Sequence, residues 1–305
     1  MTELYKRFRP KRLKQVVGND ATVKALTAML AGGSLPHTIL FHGPSGCGKT
    51  TLARIVANKL KCHDMDLQEV NSSSFRGIDT IRQISQTMWL ASVGPCRVWI
   101  IDECHKLTND AQNAALKMLE DTPQHVYFFL CTTTPEKLIK AVRTRCCEMS
   151  VAPLSNDQLT RLVLKVAKKA EISITPSVLT HVVELAQGCP RTALVLFDKV
   201  SNLPEDEQRD AVKNTLAEQN EAIDLCRALI KKATWAKVAD ILKNLKGEPE
   251  SIRWAVLGYA RSVLLSKQAS TQAFLVIQVF QENFYDSKAA GLAAACYECV
   301  HGEDR

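Results

Sequence analysis

Apolar residues in the first half of the chain follow two alternating patterns. Short, nearly unbroken runs occur at Thr38-Ile39-Leu40-Phe41-His42, at Arg97-Val98-Trp99-Ile100-Ile101-Asp102 and from Val126 to Thr132. Their length and apolarity suit strands buried on both faces. Between them, apolar positions recur every three or four residues, as at Val23, Leu26 and Leu30. The same spacing at Ile78, Ile81, Ile84 and Met88 predicts a helix over Gly77 to Leu90. Further helices are expected over Thr51 to Leu60 and Asp110 to Asp121, and further strands over Leu67 to Val70 and Cys147 to Val151. This alternation predicts an α/β domain over 1–152, with a parallel sheet and helices on both faces.

After Val151 the strand pattern stops. Ser155-Asn156-Asp157-Gln158 has the form of a capping box opening a helix over Asp157 to Ala170. Thr175-Pro176 starts a second helix that ends at Gly188, and Pro190 starts a third. Residues 153–204 are therefore expected to form a small helical domain. A polar stretch at 203–208 reads as a linker, and 205–305 reads as helix throughout. Long apolar faces such as Phe274 to Phe280, and an alanine-rich last helix (Ala289, Ala290, Ala293, Ala294, Ala295), suit an all-helical third domain.

Composition adds limits. A length of 305 residues, 46% hydrophobic and 23% charged, fits a folded protein of two or three domains. No apolar run approaches a membrane span and no signal peptide precedes Met1, so an intracellular chain without a membrane partner is expected. The eleven cysteines are scattered singly through apolar segments, as reduced core residues would be. Cys296-Tyr297-Glu298-Cys299 has the spacing of half a zinc site, but no second pair accompanies it. Net charge is +7, and Lys6, Arg7, Arg9, Lys11, Arg12 and Lys14 crowd the N-terminal segment. Such a run is either a solvated face or a weak mark of a nucleic-acid partner.

The strongest chemical signal is Gly43-Pro44-Ser45-Gly46-Cys47-Gly48-Lys49-Thr50, between a predicted strand and a predicted helix that begins at Thr51. It fits the phosphate-binding loop at every fixed position. The glycines let backbone N–H groups and the helix N-terminus face the phosphates of a nucleoside triphosphate. Lys49 is expected to reach the β- and γ-phosphates, and the Thr50 hydroxyl to bind Mg²⁺. Asp102-Glu103 ends a buried strand, where acids are costly unless they serve a site. Asp102 is the expected partner of Mg²⁺, and Glu103 the expected base or orienting group for attacking water.

Ile101-Asp102-Glu103-Cys104-His105-Lys106-Leu107, followed by Asn113-Ala114-Ala115-Leu116-Lys117-Met118-Leu119-Glu120, resembles the AAA+ ATPase subunits of DNA sliding-clamp loaders. The nearest types are the bacterial gamma/tau subunit and the small subunits of replication factor C. The stretch from Tyr5 through Arg9-Pro10 to Val16-Val17-Gly18-Asn19 is similar to the family's N-terminal box, which places Tyr5, Arg9, Pro10 and Val17 against the adenine. Thr132-Thr133-Thr134-Pro135 matches sensor 1, with Thr133 in the sensing position. Gly188-Cys189-Pro190-Arg191 matches sensor 2, which gives Arg191 a place at the triphosphate of its own subunit. Arg143-Thr144-Arg145-Cys146 matches the Ser-Arg-Cys motif. Taken alone, Arg145 reads as a surface salt-bridge residue; the resemblance implies an arginine finger reaching the next subunit's nucleotide.

The resemblance also implies partners. They are a ring-shaped sliding clamp, the phosphate backbone of primer–template DNA, and other loader subunits in a ring expected to be pentameric. Implied DNA contacts are Arg76, Gly77 and Ile78 at a helix start, with Arg82, Lys106 and Lys117; each reads equally well as part of a solvated face. Gln112 resembles a position coupling the DNA-facing helix to the ATP site. Met88, Trp89 and Leu90 fall where the family meets its clamp, and core packing is the alternative for Trp89. Where the gamma/tau subunit carries a four-cysteine zinc module, this chain has Cys62 alone, so no zinc is expected. A branch-migration motor of the same superfamily and a nucleotide-binding scaffold are the competing readings.

Overall fold

The apolar runs become the strands of one sheet. The structure is a computed structural model describing residues 3–72, 77–201, 223–245, 248–265, 270–284 and 287–302. Strands β1 (Thr38–His42), β2 (Leu67–Asn71), β3 (Arg97–Asp102), β4 (Val126–Thr132) and β5 (Cys147–Ser150) pair in parallel in the order β2-β3-β4-β1-β5. Burial follows place in the sheet. Ile39, Leu40 and Phe41 of β1 and Phe128 and Phe129 of β4 are fully buried, while Gln68 and Glu69 of edge strand β2 are exposed.

Side chains alternate between the two faces of a strand, and each face has its own core. Ile39, Phe41 and Phe129 pack with Leu26 of α2 (Asp20–Ala31) and with Leu52, Ile55 and Val56 of α3 (Lys49–Lys59). Leu40, Phe128 and Leu130 pack with Ile81 and Ile84 of α4 (Ile78–Thr87) and Met118 of α5 (Asn109–Glu120). Each fully buried Leu, Ile or Phe contributes about 1.5–3 kcal/mol. The helix start at α5 is capped by Thr108, whose hydroxyl accepts the Ala111 N–H at 3.3 Å.

The helix expected over Gly77 to Leu90 is shorter, closing at Thr87. Its last carbonyl, and two in the loop just beyond it, are taken by a side chain from elsewhere in the fold. Arg97 donates to the carbonyl oxygens of Thr87 at 2.7 Å, Leu90 at 3.2 Å and Ala91 at 3.0 Å. Arg97 is itself held by Asp66, 3.3 Å away, which also accepts the Gly94 N–H at 2.8 Å. Burial works to raise the Asp66 carboxyl, but hydrogen bonds from Gly94, Arg97 and Val93 hold it below the usual aspartate value.

Three helices complete the first compact unit, Met1–Pro204: α7 (Asn156–Ala170), α8 (Pro176–Ala186) and α9 (Pro190–Ser201). The capping box at Ser155 and Gln158 forms with both of its bonds. Thr175 occupies the N-cap position of α8 without a side-chain capping bond. The N-terminal segment is tied to these helices, with the Leu4 N–H donating to Asp198 at 3.2 Å and Lys165 Nζ to the Gln15 carbonyl oxygen at 3.2 Å.

The second compact unit, Glu205–Arg305, is helical among its described residues. Residues 223–230 form α10, followed by α11 (Trp235–Asn244), α12 (Pro249–Leu264), α13 (Thr271–Val279) and α14 (Lys288–His301). Leu225, Val238, Val256, Val276 and Phe280 make its core, together with Cys296 and Cys299. Both thiols are free and raised by burial, Cys299 to about 12. The expected linker at 203–208 lies outside the described residues. No helix among the described residues is long and apolar enough to cross a membrane.

Candidate active site

The C-terminal ends of β1, β2 and β3 all open onto one cleft, the usual place for a ligand in an open parallel sheet. The phosphate loop leaves β1 after His42 and re-enters helix at Lys49. Two of its glycines have no room for a side chain. A Cβ on Gly43 (φ 145°) would lie 2.0 Å from the Val151 carbonyl oxygen, and one on Gly46 (φ 72°) would lie 2.5 Å from Cys189 Sγ. The loop is thus seated between the chain leaving β5 and the start of α9. Its residues Ser45, Gly46, Cys47 and Gly48 line the cleft with Lys49, Thr50 and Thr51.

Lys49 is 6% exposed, and its ammonium donates to the carbonyl oxygens of Gly43 and Pro44, each at 2.9 Å. Gly43 and Pro44 therefore serve the site through their carbonyls. An ammonium has three N–H donors, so one is left for a ligand. The Thr50 hydroxyl donates to Asp102 Oδ2 at 2.9 Å, and Asp102 Oδ1 accepts the Glu103 N–H at 3.0 Å. This joins the loop to β3 through two hard oxygen donors, the chemistry Mg²⁺ prefers. Glu103 stands in the left-handed region at φ 52°, a conformation that costs a non-glycine residue about 1–2 kcal/mol. Its Oε2 lies 3.4 Å from His105 Nε2.

The opposite wall comes from the N-terminal segment and the small helices. Tyr5, Arg9, Pro10 and Val17 line the cleft, as does Arg191, whose guanidinium lies 5.8 Å from the centre of the Tyr5 ring. Burial, then the positive charges of Arg54 and Arg191, push Arg9 below the usual arginine value. That crowding of cations favours a polyanion. Phe8, Val16, Leu162 and Leu194 add an apolar lining, which a nucleobase requires. Phe8 and Val16 fall within the N-terminal box and Leu194 beside the sensor 2 arginine, whereas Leu162 lies on an ordinary apolar position that nothing in the sequence sets apart from a core residue. Asn71, at the end of β2, also lines the cleft.

Other expected positions are placed differently. Thr133 does not line the cleft; the engaged hydroxyl at the end of β4 is that of Thr132, fully buried and 2.9 Å from His105 Nδ1. Arg145 also lies away from the cleft of its own chain, where Nε donates to Glu120 at 2.8 Å and a terminal nitrogen to the Ala141 carbonyl oxygen at 2.8 Å. Met88 is not a surface residue: at 2% exposure it belongs to the core under α4, because it continues the stripe of Ile81 and Ile84. Trp89 and Leu90 are 60% and 59% exposed.

Of the residues assigned to DNA, Gly77, Arg82, Lys106 and Lys117 are exposed, and Ile78 is half-buried at the start of α4. Arg82 lies 3.4 Å from Asp79. Arg76 lies outside the described residues. Gln112 is 2% exposed and braces two connections: its amide donates to the carbonyl oxygens of Leu107 at 3.1 Å and Lys137 at 3.4 Å, and its oxygen accepts the Ile139 N–H at 2.8 Å.

A family model described as "ATPase family associated with various cellular activities (AAA)" matches residues 39–154. The chain is 30% identical over 225 residues to the DNA polymerase III subunit gamma/tau of Mycoplasma pneumoniae, covering 67% of this chain and 33% of that one. It is 28% identical to the DNA polymerase III subunit tau of Bacillus subtilis, covering 97% of this chain and 58% of the relative. With replication factor C subunit 4 of Encephalitozoon cuniculi it shares 29% identity over 214 residues, covering 70% and 69%. The chain thus spans 33–38% of the length of the first curated relatives it matches. Among solved structures, the Thermotoga maritima RuvB Holliday junction branch migration motor has the same fold over 73% of this chain and 79% of its own, at a TM-score of 0.60 and 22% identity. The phosphate loop joined to Asp102, the parallel sheet and these similarities agree: the chain carries an ATPase domain of the AAA family and is similar to the ATPase subunits of clamp loaders.

Proposed function

We propose that this chain is an ATP-hydrolysing subunit of a sliding-clamp loader, which opens a ring clamp and places it on primer–template DNA during replication. The observation that carries the reading is the division of the site. The phosphate loop, Asp102, Glu103 and Arg191 meet in one cleft, while Arg145 lies away from it. A site that lacks one cation for the transition state is completed by a neighbouring subunit. The gamma/tau and replication factor C relatives support a role in replication. The three-domain division at 1–152, 153–204 and 205–305, with the last as an oligomerising collar, belongs to the same proposal.

The cleft's residues have definite tasks in it. Thr50 and Asp102 would hold Mg²⁺, which when bound neutralises charge on the β- and γ-phosphates. Lys49 and the N–H groups at the start of α3 bind the phosphates, and Arg191 couples them to α9. Glu103 orients the attacking water. Tyr5, Arg9, Pro10 and Val17 enclose the base.

The test is ATP turnover of the assembled complex, measured with and without primed duplex and the cognate clamp. Both additions are expected to raise it; indifference to both would remove the loader reading. The RuvB-like fold supports a branch-migration motor as the second reading. That reading requires turnover to respond to a four-way junction instead.

A further inference from the structure

His105 lies at the meeting point of the two strands that flank the expected γ-phosphate, and neither loop nor sensor motif gives it a task. It sits on the single turn Cys104–Lys106 directly after β3, with its side chain 9% exposed. Its ring faces two groups at once. Nε2 is 3.4 Å from Glu103 Oε2, and Nδ1 is 2.9 Å from Thr132 Oγ1 at the end of β4. The Thr132 oxygen also accepts the Thr134 N–H at 3.1 Å.

Counting protons along this line fixes its direction. A carboxylate only accepts, so the nitrogen facing Glu103 carries the ring proton. Nδ1 is then an acceptor and takes the Thr132 O–H, while the Thr132 oxygen takes the Thr134 N–H. With a neutral imidazole the Thr134–Thr132–Nδ1 bonds are all made, and the Nε2–H lies within 3.4 Å (heavy-atom distance) of the Glu103 carboxylate, a longer polar contact. A charged ring would force the Thr132 oxygen to accept twice and leave its hydrogen without a partner in the line. The surroundings agree: burial holds His105 below the usual histidine value, and Lys106, Lys137 and Lys49 act in the same sense against Glu103.

The backbone turns at Glu103, the residue before the single turn Cys104–Lys106. Its left-handed conformation, φ 52°, takes the chain off the β3 axis just before the turn that carries His105. Simple packing of a buried histidine would not need a hydrogen-bond partner at Nδ1 and a carboxylate beside Nε2.

We infer that His105 is a positioning residue for ATP hydrolysis, tying the Glu103 carboxylate to Thr132 so that the water-orienting acid and the end of β4 keep a fixed separation. The inference rests on the reading of this chain as an ATPase and is independent of any clamp or DNA.

Two measurements on the full chain test it. In ¹⁵N NMR of the ligand-free protein near neutral pH, His105 is expected as the Nε2–H tautomer, with ring shifts that move in Glu103→Ala. The Nδ1–H tautomer, or shifts indifferent to Glu103→Ala, would overturn the inference. In ATP turnover, His105→Ala is expected to be slower by about tenfold, with the affinity for a non-hydrolysable ATP analogue changed by less than about twofold. His105→Gln, whose amide reaches the Nε2 position and so keeps the contact with Glu103 without the one to Thr132, restores part of the rate, and His105→Asn, which reaches only Nδ1, does not. Unchanged or faster turnover in His105→Ala, or a Gln variant no better than Asn, would also overturn it. The NMR arm needs neither partner nor turnover, so its outcome stands even where the loader reading fails.

Discussion

Gly46 shows how little freedom the site allows a single residue. A methyl group there would lie 2.5 Å from Cys189 Sγ and 3.2 Å from Arg191 Cβ, on a backbone already at φ 72°. Gly46→Ala is therefore expected to lose about 1–2 kcal/mol from the left-handed backbone alone and to displace α9 from the loop. Thermal melting and titration with a fluorescent ATP analogue would read both effects. Adding Cys189→Ala should recover part of the nucleotide affinity and none of the backbone cost. If the single variant binds nucleotide as well as the parent, the contact between loop and α9 is not part of the site. The loop was legible in the sequence through its fixed positions Gly43, Gly48, Lys49 and Thr50; Gly46 occupies a variable one, and only its neighbours Cys189 and Arg191 leave it no substitute. Leu162 was not legible, since an apolar residue that will line a cleft looks the same in sequence as one that will fill a core. Thr133 and Thr132 show the matching limit: in a run of three threonines, only the strand's alternation decides which hydroxyl is engaged, and that depends on where β4 stops.

At the scale of elements, the end of α4 depends on a pair that the sequence pattern could not reveal. The apolar stripe predicted a helix to Leu90, but stripes report which face is buried and not where helix hydrogen bonding ends. Arg97 binds the helix's last carbonyl and those of Leu90 and Ala91 in the loop beyond it, and Asp66, 1% exposed, fixes Arg97. This same closure turns Trp89 and Leu90 outward while Met88 stays in the core. Asp66→Asn leaves a nearly buried guanidinium without its counter-charge and is expected to cost about 3 kcal/mol in denaturant unfolding. The sign with pH follows from the lowered carboxyl. Because the folded value lies below the unfolded one of about 3.9, the stabilisation is complete above about pH 5 and is lost as pH falls through the folded value. The gap between parent and variant should therefore close in acid; a gap that stays constant down to about pH 3 would mean that Asp66 acts by shape rather than charge. By contrast, the parallel strands and the capped start of α7 were readable, since continuous apolar runs and a Ser cap are local signals.

The whole molecule raises the question of what the ATP site lacks by itself, and Arg145 is the residue on which the answer turns. Within its own chain it bonds Glu120 and the Ala141 carbonyl oxygen, a half-exposed arrangement whose loss costs at most about 1 kcal/mol. A purely structural Arg145 would then be nearly dispensable. An arginine that completes a neighbour's site gives a different result, because a cation supplied to the transferring phosphoryl group is worth on the order of 10³ or more in turnover. Arg145→Ala in the assembled complex is accordingly expected to keep its melting temperature and its nucleotide affinity while turnover falls by about that factor. Arg145→Lys should not restore the rate, since an ammonium is a point charge without the planar fork that grips two phosphate oxygens. Lys49→Ala gives the opposite signature: it removes a buried ammonium that faces the phosphates within its own cleft, so nucleotide binding itself should fail. Mixing the two variants separates the roles where the assembly places identical chains side by side. Intact Arg145 from a Lys49→Ala chain then faces an intact phosphate loop in its neighbour, and turnover should reappear at that shared interface. If the mixture stays as inactive as its parts while still assembling, Arg145 does not act across the subunit boundary.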